Sequence, residues 1–122
     1  VVVTTYELKR YPHWDLNVVF EAASQHRFSH EAHVVLECPE ETFGLTDPRF
    51  RISEIARECR RFGVGLATMQ KVGGIFRLFQ QLEAEPNKPQ DEDVEAWLEY
   101  VFERDTTALK DFNKLMVQQQ LK

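Results

Sequence analysis

The order in which strand-like and helix-like stretches alternate constrains this chain more than any other feature. Val1-Val2-Val3-Thr4-Thr5-Tyr6 is a run of β-branched and aromatic residues, the composition of a strand. Trp14–Phe28 reads as a helix. Asp15 caps it or sits in its first turn, and Leu16, Val19, Phe20 and Ala23 share one face. His33-Val34-Val35-Leu36-Glu37 is a second strand, stopped before Pro39. Residues 38–47 form a loop, and Asp47-Pro48 opens a second helix with Asp as cap and Pro at the first helical position. Its buried stripe is Ile52, Ile55, Ala56, Cys59 and Phe62, and Gly63 suits the end. Val64–Gln70 is a third strand, turned by Gly73-Gly74 into a fourth, Ile75–Leu82. Strands joined through helices run parallel, because each crossover returns the chain to the same end of the sheet. The predicted class is α/β: a mostly parallel sheet with flanking helices and one antiparallel strand added by the glycine hairpin.

The unbroken β-branched start predicts a first strand buried on both faces, as inside a parallel sheet. Chains seldom open within a central strand. The expectation is therefore that an upstream segment, a folded-back segment or a second copy of the chain covers its free edge, whose unpaired N–H and C=O groups seek another strand.

Beyond Leu82 the pattern changes. Pro86 and Pro89 punctuate a linker. Val94, Trp97, Leu98, Val101 and Phe102 then recur at helical spacing, as do Leu109, Phe112, Leu115 and Met116. This divides the chain into a core over residues 1–82 and a helical hairpin over 83–122, whose two stripes face each other or the sheet.

The formal net charge of −5 excludes a broadly basic nucleic-acid coat. Much of the acid lies between Glu83 and Asp105, where nine carboxylates face only Lys88 and Arg104. Between Arg49 and Arg61, five arginines meet only Glu54 and Glu58, a run read here as a solvated helix face. No apolar run approaches the roughly 20 residues of a membrane span, and no secretory leader is visible. Cys38 and Cys59 form neither a CxxC pair nor a disulfide framework, so the default compartment is a reducing cytoplasm.

Chemistry is concentrated at the end of the first strand, in Glu7-Leu8-Lys9. Alternation puts Glu7 and Lys9 on one face, about 7 Å apart along the strand. A carboxylate there can hold Mg²⁺, or Mn²⁺ in its place, as a hard cation with oxygen ligands. A nearby lysine can orient an attacking water and offset phosphate charge. The bland alternative is a surface ion pair at a strand end. His26, His30 and His33 lack the spacing and the cysteine of a zinc set and read as solvated or helix-ending histidines. A helix-turn-helix over Ile52–Val64 is rejected, since the helical stripe continues where the turn should be.

Four stretches together carry a resemblance: Tyr6-Glu7-Leu8-Lys9, Arg27-Phe28-Ser29-His30, His33-Val34-Val35-Leu36 and Arg61-Phe62-Gly63-Val64-Gly65-Leu66. Over roughly residues 1–70 the chain resembles the PD-(D/E)XK, or restriction-endonuclease-like, superfamily. The resemblance implies that Glu7 is a metal ligand and Lys9 the catalytic lysine, with Glu21 and Gln25 on the following helix as accessory polar residues. In that superfamily a second acid comes from an earlier strand. Either a strand bearing Asp or Glu lies upstream of Val1 in the whole protein or this domain does no chemistry, and the expectation is that this chain by itself cleaves nothing.

The functional reading that follows is a Mg²⁺-dependent nuclease domain hydrolysing phosphodiester bonds, of DNA in the first instance. Arg10, Arg27 and Lys71 are its candidate phosphate contacts. The alternative is a catalytically inactive nuclease-like scaffold that serves as an interaction or dimerisation module.

Overall fold

The computed structural model describes residues 1–11, 13–38 and 52–120, with the side chains of 112 and 116–120 outside that description. Four strands, β1 (Thr4–Lys9), β2 (Glu31–Cys38), β3 (Gly65–Val72) and β4 (Ile75–Leu82), form one sheet in the order β1-β2-β3-β4. The first three are parallel and β4 is antiparallel to β3. Helix α1 (Asn17–Ser24), continued by a 3-10 turn at Gln25–Arg27, joins β1 to β2. Helix α2 (Ile52–Phe62) precedes β3, and α3 (Asp91–Arg104) and α4 (Thr106–Gln120) follow β4. The α/β class expected from the alternation is thus present. The Asp47-Pro48 helix opening and the loop expected over 38–47, apart from Cys38, lie outside the described residues.

A single apolar cluster joins one face of the sheet to α1 and α2. Val34, Leu36 and Leu66 from the strands meet Val18, Val19 and Ala22 of α1 and Ile52, Ile55, Ala56 and Cys59 of α2. The α2 stripe matches its sequence pattern except at Phe62, which is 38% exposed at the helix end. The α1 stripe is turned from the expected one. Val18 and Ala22 are fully buried, Leu16 and Ala23 only partly, and Phe20 is 46% exposed. The helix starts at Asn17 rather than Trp14, and Asp15 makes no side-chain cap on it. Phe20 instead meets Phe62 edge-on, 5.6 Å between ring centres.

The expectation of a first strand buried on both faces is corrected. Exposure alternates along β1: Thr4, Tyr6 and Leu8 face solvent while Thr5, Glu7 and Lys9 are half-buried. Val1 and Val2 are exposed and lie outside the strand, so the β-branched run overstated its burial. β1 is an edge strand, and among the described residues no strand pairs with its free edge. Val1–Thr4, at and before the start of β1, line a cleft of about 440 Å³ with Trp97, Leu98 and Leu115 of the C-terminal hairpin.

Gly73 and Gly74, with φ of 59° and 82°, close the β3–β4 turn in the left-handed conformation that matches strand twist. Gly65 is required for a different reason. A Cβ there would collide with the His33 ring, which packs over it and under Tyr6. The stretch between β4 and α3 is strapped down rather than free. Asn87 Nδ2 donates to the His26 carbonyl at 2.6 Å and the Ser29 carbonyl at 2.8 Å, and its own N–H donates to the His30 carbonyl at 2.8 Å. Trp97 of α3 stacks on Phe28 at 5.0 Å, within 8° of parallel.

Two stability effects follow. Asn87→Ala strips two carbonyls of their partner and should cost roughly 1–3 kcal/mol in urea unfolding. Gly65→Ala should cost a similar roughly 1–3 kcal/mol by overpacking. An unchanged urea midpoint in either variant would contradict these roles.

Candidate functional site

Alternation along β1 aims Thr5, Glu7 and Lys9 toward the face that α1 covers. Glu21 and Gln25 lie one helical turn apart, so both project toward that strand. Gln25 Nε2 donates to Glu7 Oε1, and Lys9 Nζ lies 3.4 Å from Glu21 Oε2. The four residues singled out in the sequence therefore meet as two cross-linked pairs, strand to helix. The lysine and glutamate side chains are 34% and 48% exposed, so water screens their attraction and the pair can separate at little cost.

One participant was missed in the sequence. Thr5 Oγ1 and Gln25 Oε1 are both enclosed without a hydrogen-bond partner. Both residues line a cleft of about 320 Å³ with Phe28 and Trp97. The available signal was the same alternation that grouped Glu7 with Lys9, extended two residues back to Thr5.

The donors here suit a hard cation. Glu7 offers a carboxylate and Gln25 an amide oxygen, and Mg²⁺ commonly takes one or two carboxylates and fills its remaining positions with water or substrate oxygens. Among the described residues no three His, Cys, Asp or Glu side chains gather around one point. Of the carboxylates near this point, Glu7 is the one that Gln25 hydrogen-bonds.

The expected phosphate contacts are scattered. Arg10 is exposed just beyond β1. Arg27 is held at 3.5 Å by Asp93 of α3. Lys71 lies three residues past Thr68, which is in register with Leu36 and through it with Lys9, so Lys71 projects from the opposite face. Its amine sits 5.9 Å from the Phe76 ring centre, near the hairpin turn.

The histidines and cysteines have other surroundings. His30 Nδ1 accepts the Val3 N–H at 2.9 Å, and His33 stacks on Tyr6 at 5.0 Å. Burial pushes the Cys38 thiol up to about 11, with Glu37 adding to the effect, and the Cys59 thiol up to about 12. Both are protonated at neutral pH and are not nucleophiles. Burial also lowers the pKa of His26, whose Nε2 is enclosed without a partner.

No family model matches the chain, and neither a curated protein nor a solved structure matches it. Among the described residues no helix is long and apolar enough to cross a membrane.

The His26 shift has a definite sign. Burial disfavours the protonated ring in the native state relative to the unfolded chain, which protonates it near 6.5, so unfolding takes up protons around and below that pH. Stability linked to His26 is present above 6.5 and falls as the pH drops below it. Thermal melts from about pH 7.5 to about pH 5.5 should therefore show a smaller drop in Tm for His26→Gln than for the wild type. Identical drops would refute the assignment.

Proposed function

We propose that this chain carries the metal-binding carboxylate and the lysine of a restriction-endonuclease-like site that hydrolyses phosphodiester bonds, with DNA as the first substrate to test. The observation that supports this most is the meeting of Glu7 and Lys9, on one face of β1, with Gln25 and Glu21 on the crossover helix. In this reading Glu7 ligates Mg²⁺ or Mn²⁺, and Gln25 fixes the carboxylate through its amide N–H. Lys9 positions the attacking water, and Glu21 holds the amine in place until a phosphate competes for it. When bound, the metal supplies a water of lowered pKa and offsets charge on the phosphate. Lys9 works at a half-exposed position, within reach of an entering phosphodiester.

A second reading is a nuclease-like scaffold that acts as an interaction module. It is favoured by the free edge of β1 and by β4, where Ile75, Phe76 and Leu78 are 64%, 58% and 61% exposed. A long apolar edge strand is a template for another chain.

Cleavage separates the two. In the protein that carries this chain, Glu7→Gln and Lys9→Ala should each lower Mg²⁺-dependent cleavage of plasmid DNA by at least about 100-fold, the scale of losing one charge-stabilising group. Circular dichroism should stay unchanged, since both side chains stand at a strand end. Cleavage retained in either variant, or none in the parent with Mg²⁺ or Mn²⁺, would leave the scaffold reading in place.

A further inference from the structure

The arginines of α2 gather on one flank of the helix. Ile52, Ile55, Ala56 and Cys59 face the core. At 3.6 residues per turn, Arg57, Arg60 and Arg61 then follow one another along an adjoining flank. All three are exposed. Arg61 Nη1 lies 3.6 Å from Glu58 Oε2, while Arg57 and Arg60 are in no ion pair among the described residues. Compensation of the helix dipole accounts for Arg60 and Arg61 in the last turn, but not for Arg57 a turn earlier. Such a stripe stands out in a chain of net charge −5.

An aromatic shelf adjoins it. The Arg61 guanidinium lies 5.5 Å from the Phe62 ring centre, and Phe62 meets Phe20 edge-on, both rings part-exposed. Phe20 precedes Glu21, whose carboxylate holds Lys9. The shelf therefore joins the arginines of α2 to α1, the helix that also carries Glu21. Arg57 and Arg61 are separated by about 6 Å along the helix axis.

We propose that Arg57, Arg60 and Arg61 form a phosphate-contacting stripe that seats a nucleic-acid backbone along α2, with Phe20 and Phe62 against its sugars and bases. Guanidinium groups pair with phosphate oxygens in bidentate fashion, and the contacts are independent of sequence. That the seated strand is delivered to Glu7 and Lys9 rests on the nuclease reading; the binding itself does not.

The test is fluorescence anisotropy of a labelled random-sequence duplex of about 20 base pairs with the 122-residue chain in EDTA, where no cleavage occurs, from about 50 to about 200 mM salt. The triple variant Arg57→Ala, Arg60→Ala, Arg61→Ala should bind at least about 10-fold more weakly at the lowest salt. Its plot of log affinity against log salt should be shallower by roughly 2–3, the loss of three phosphate contacts. Arg57→Glu alone should weaken binding in the same direction, and the triple Arg→Lys variant should keep most of the salt slope. A control with the same loss of charge elsewhere, Arg77→Ala, Lys110→Ala, Lys114→Ala, should stay within about 3-fold of the wild type. The stripe is refuted by wild type that binds no duplex, by a triple variant that binds as well as wild type, or by a control that loses as much. Displacement of the duplex by polyglutamate at equal charge concentration would point to an acidic protein partner and also overturn it. Because cleavage is read separately through Glu7→Gln, a failed stripe leaves the catalytic reading standing, and a failed catalytic reading leaves the stripe standing.

Discussion

Two parallel strands cannot be joined by a tight turn, so the pairing of β1 with β2 and of β2 with β3 obliges the chain to cross over the sheet twice. Helix α1 makes the first crossing, and α2 lies within the second connection. The apolar cluster of Val34, Leu36 and Leu66 draws both helices onto the same face. That face is also where alternation sends Glu7 and Lys9. The meeting of a strand carboxylate with Gln25, and of a strand lysine with Glu21, is thus a by-product of parallel pairing. An antiparallel β1 would need no crossover helix and would have no such neighbours.

The position of β1 at the sheet edge sets the character of the site. β2, flanked on both sides, buries Ala32, Val34, Val35 and Leu36, whereas β1 buries no residue fully. Charges can stand on β1 because water reaches them, and the same water keeps the Lys9–Glu21 attraction weak. A buried version would hold its geometry more tightly but would resist rearrangement, because separating a buried pair leaves a charge uncompensated. The other edge strand, β4, exposes apolar side chains over most of its length. The two edges therefore differ, one polar on the helix-covered face and one apolar.

Charge is partitioned in the same way. Asp91, Glu92 and Asp93 occupy the first turn of α3, where carboxylates complement the helix dipole, and Asp93 also holds Arg27. Asp105 Oδ1 accepts the Ala108 N–H at 3.0 Å at the start of α4. Part of the acidity thus serves helix ends rather than a ligand. The arginines of α2 lie on a different helix, which is how a chain with a net charge of −5 presents a local basic flank.

Element order, the strand bounds of β4, the buried stripe of α2 up to Cys59 and the glycine turn were all legible in the sequence, because each depends on local periodicity or on a backbone angle that few residues adopt. The common face of Glu7 and Lys9 was legible for the same reason. What local pattern could not supply was environment. Val1–Tyr6 has the composition of a buried strand, yet its burial depended on which elements came to lie beside it, and in the sheet it stands at an edge. The face of α1 depended on where that helix begins, and Phe20 and Phe62 left their stripes to meet each other. Lys71 and Lys9, both basic and both at strand ends, were sent to opposite faces by the register of three strands. The residue types at the site were set by the sequence alone. Which of them touch, which stay wet and which arginines share a flank was decided by packing, since burial and proximity between residues far apart in the chain exist only once the sheet has formed.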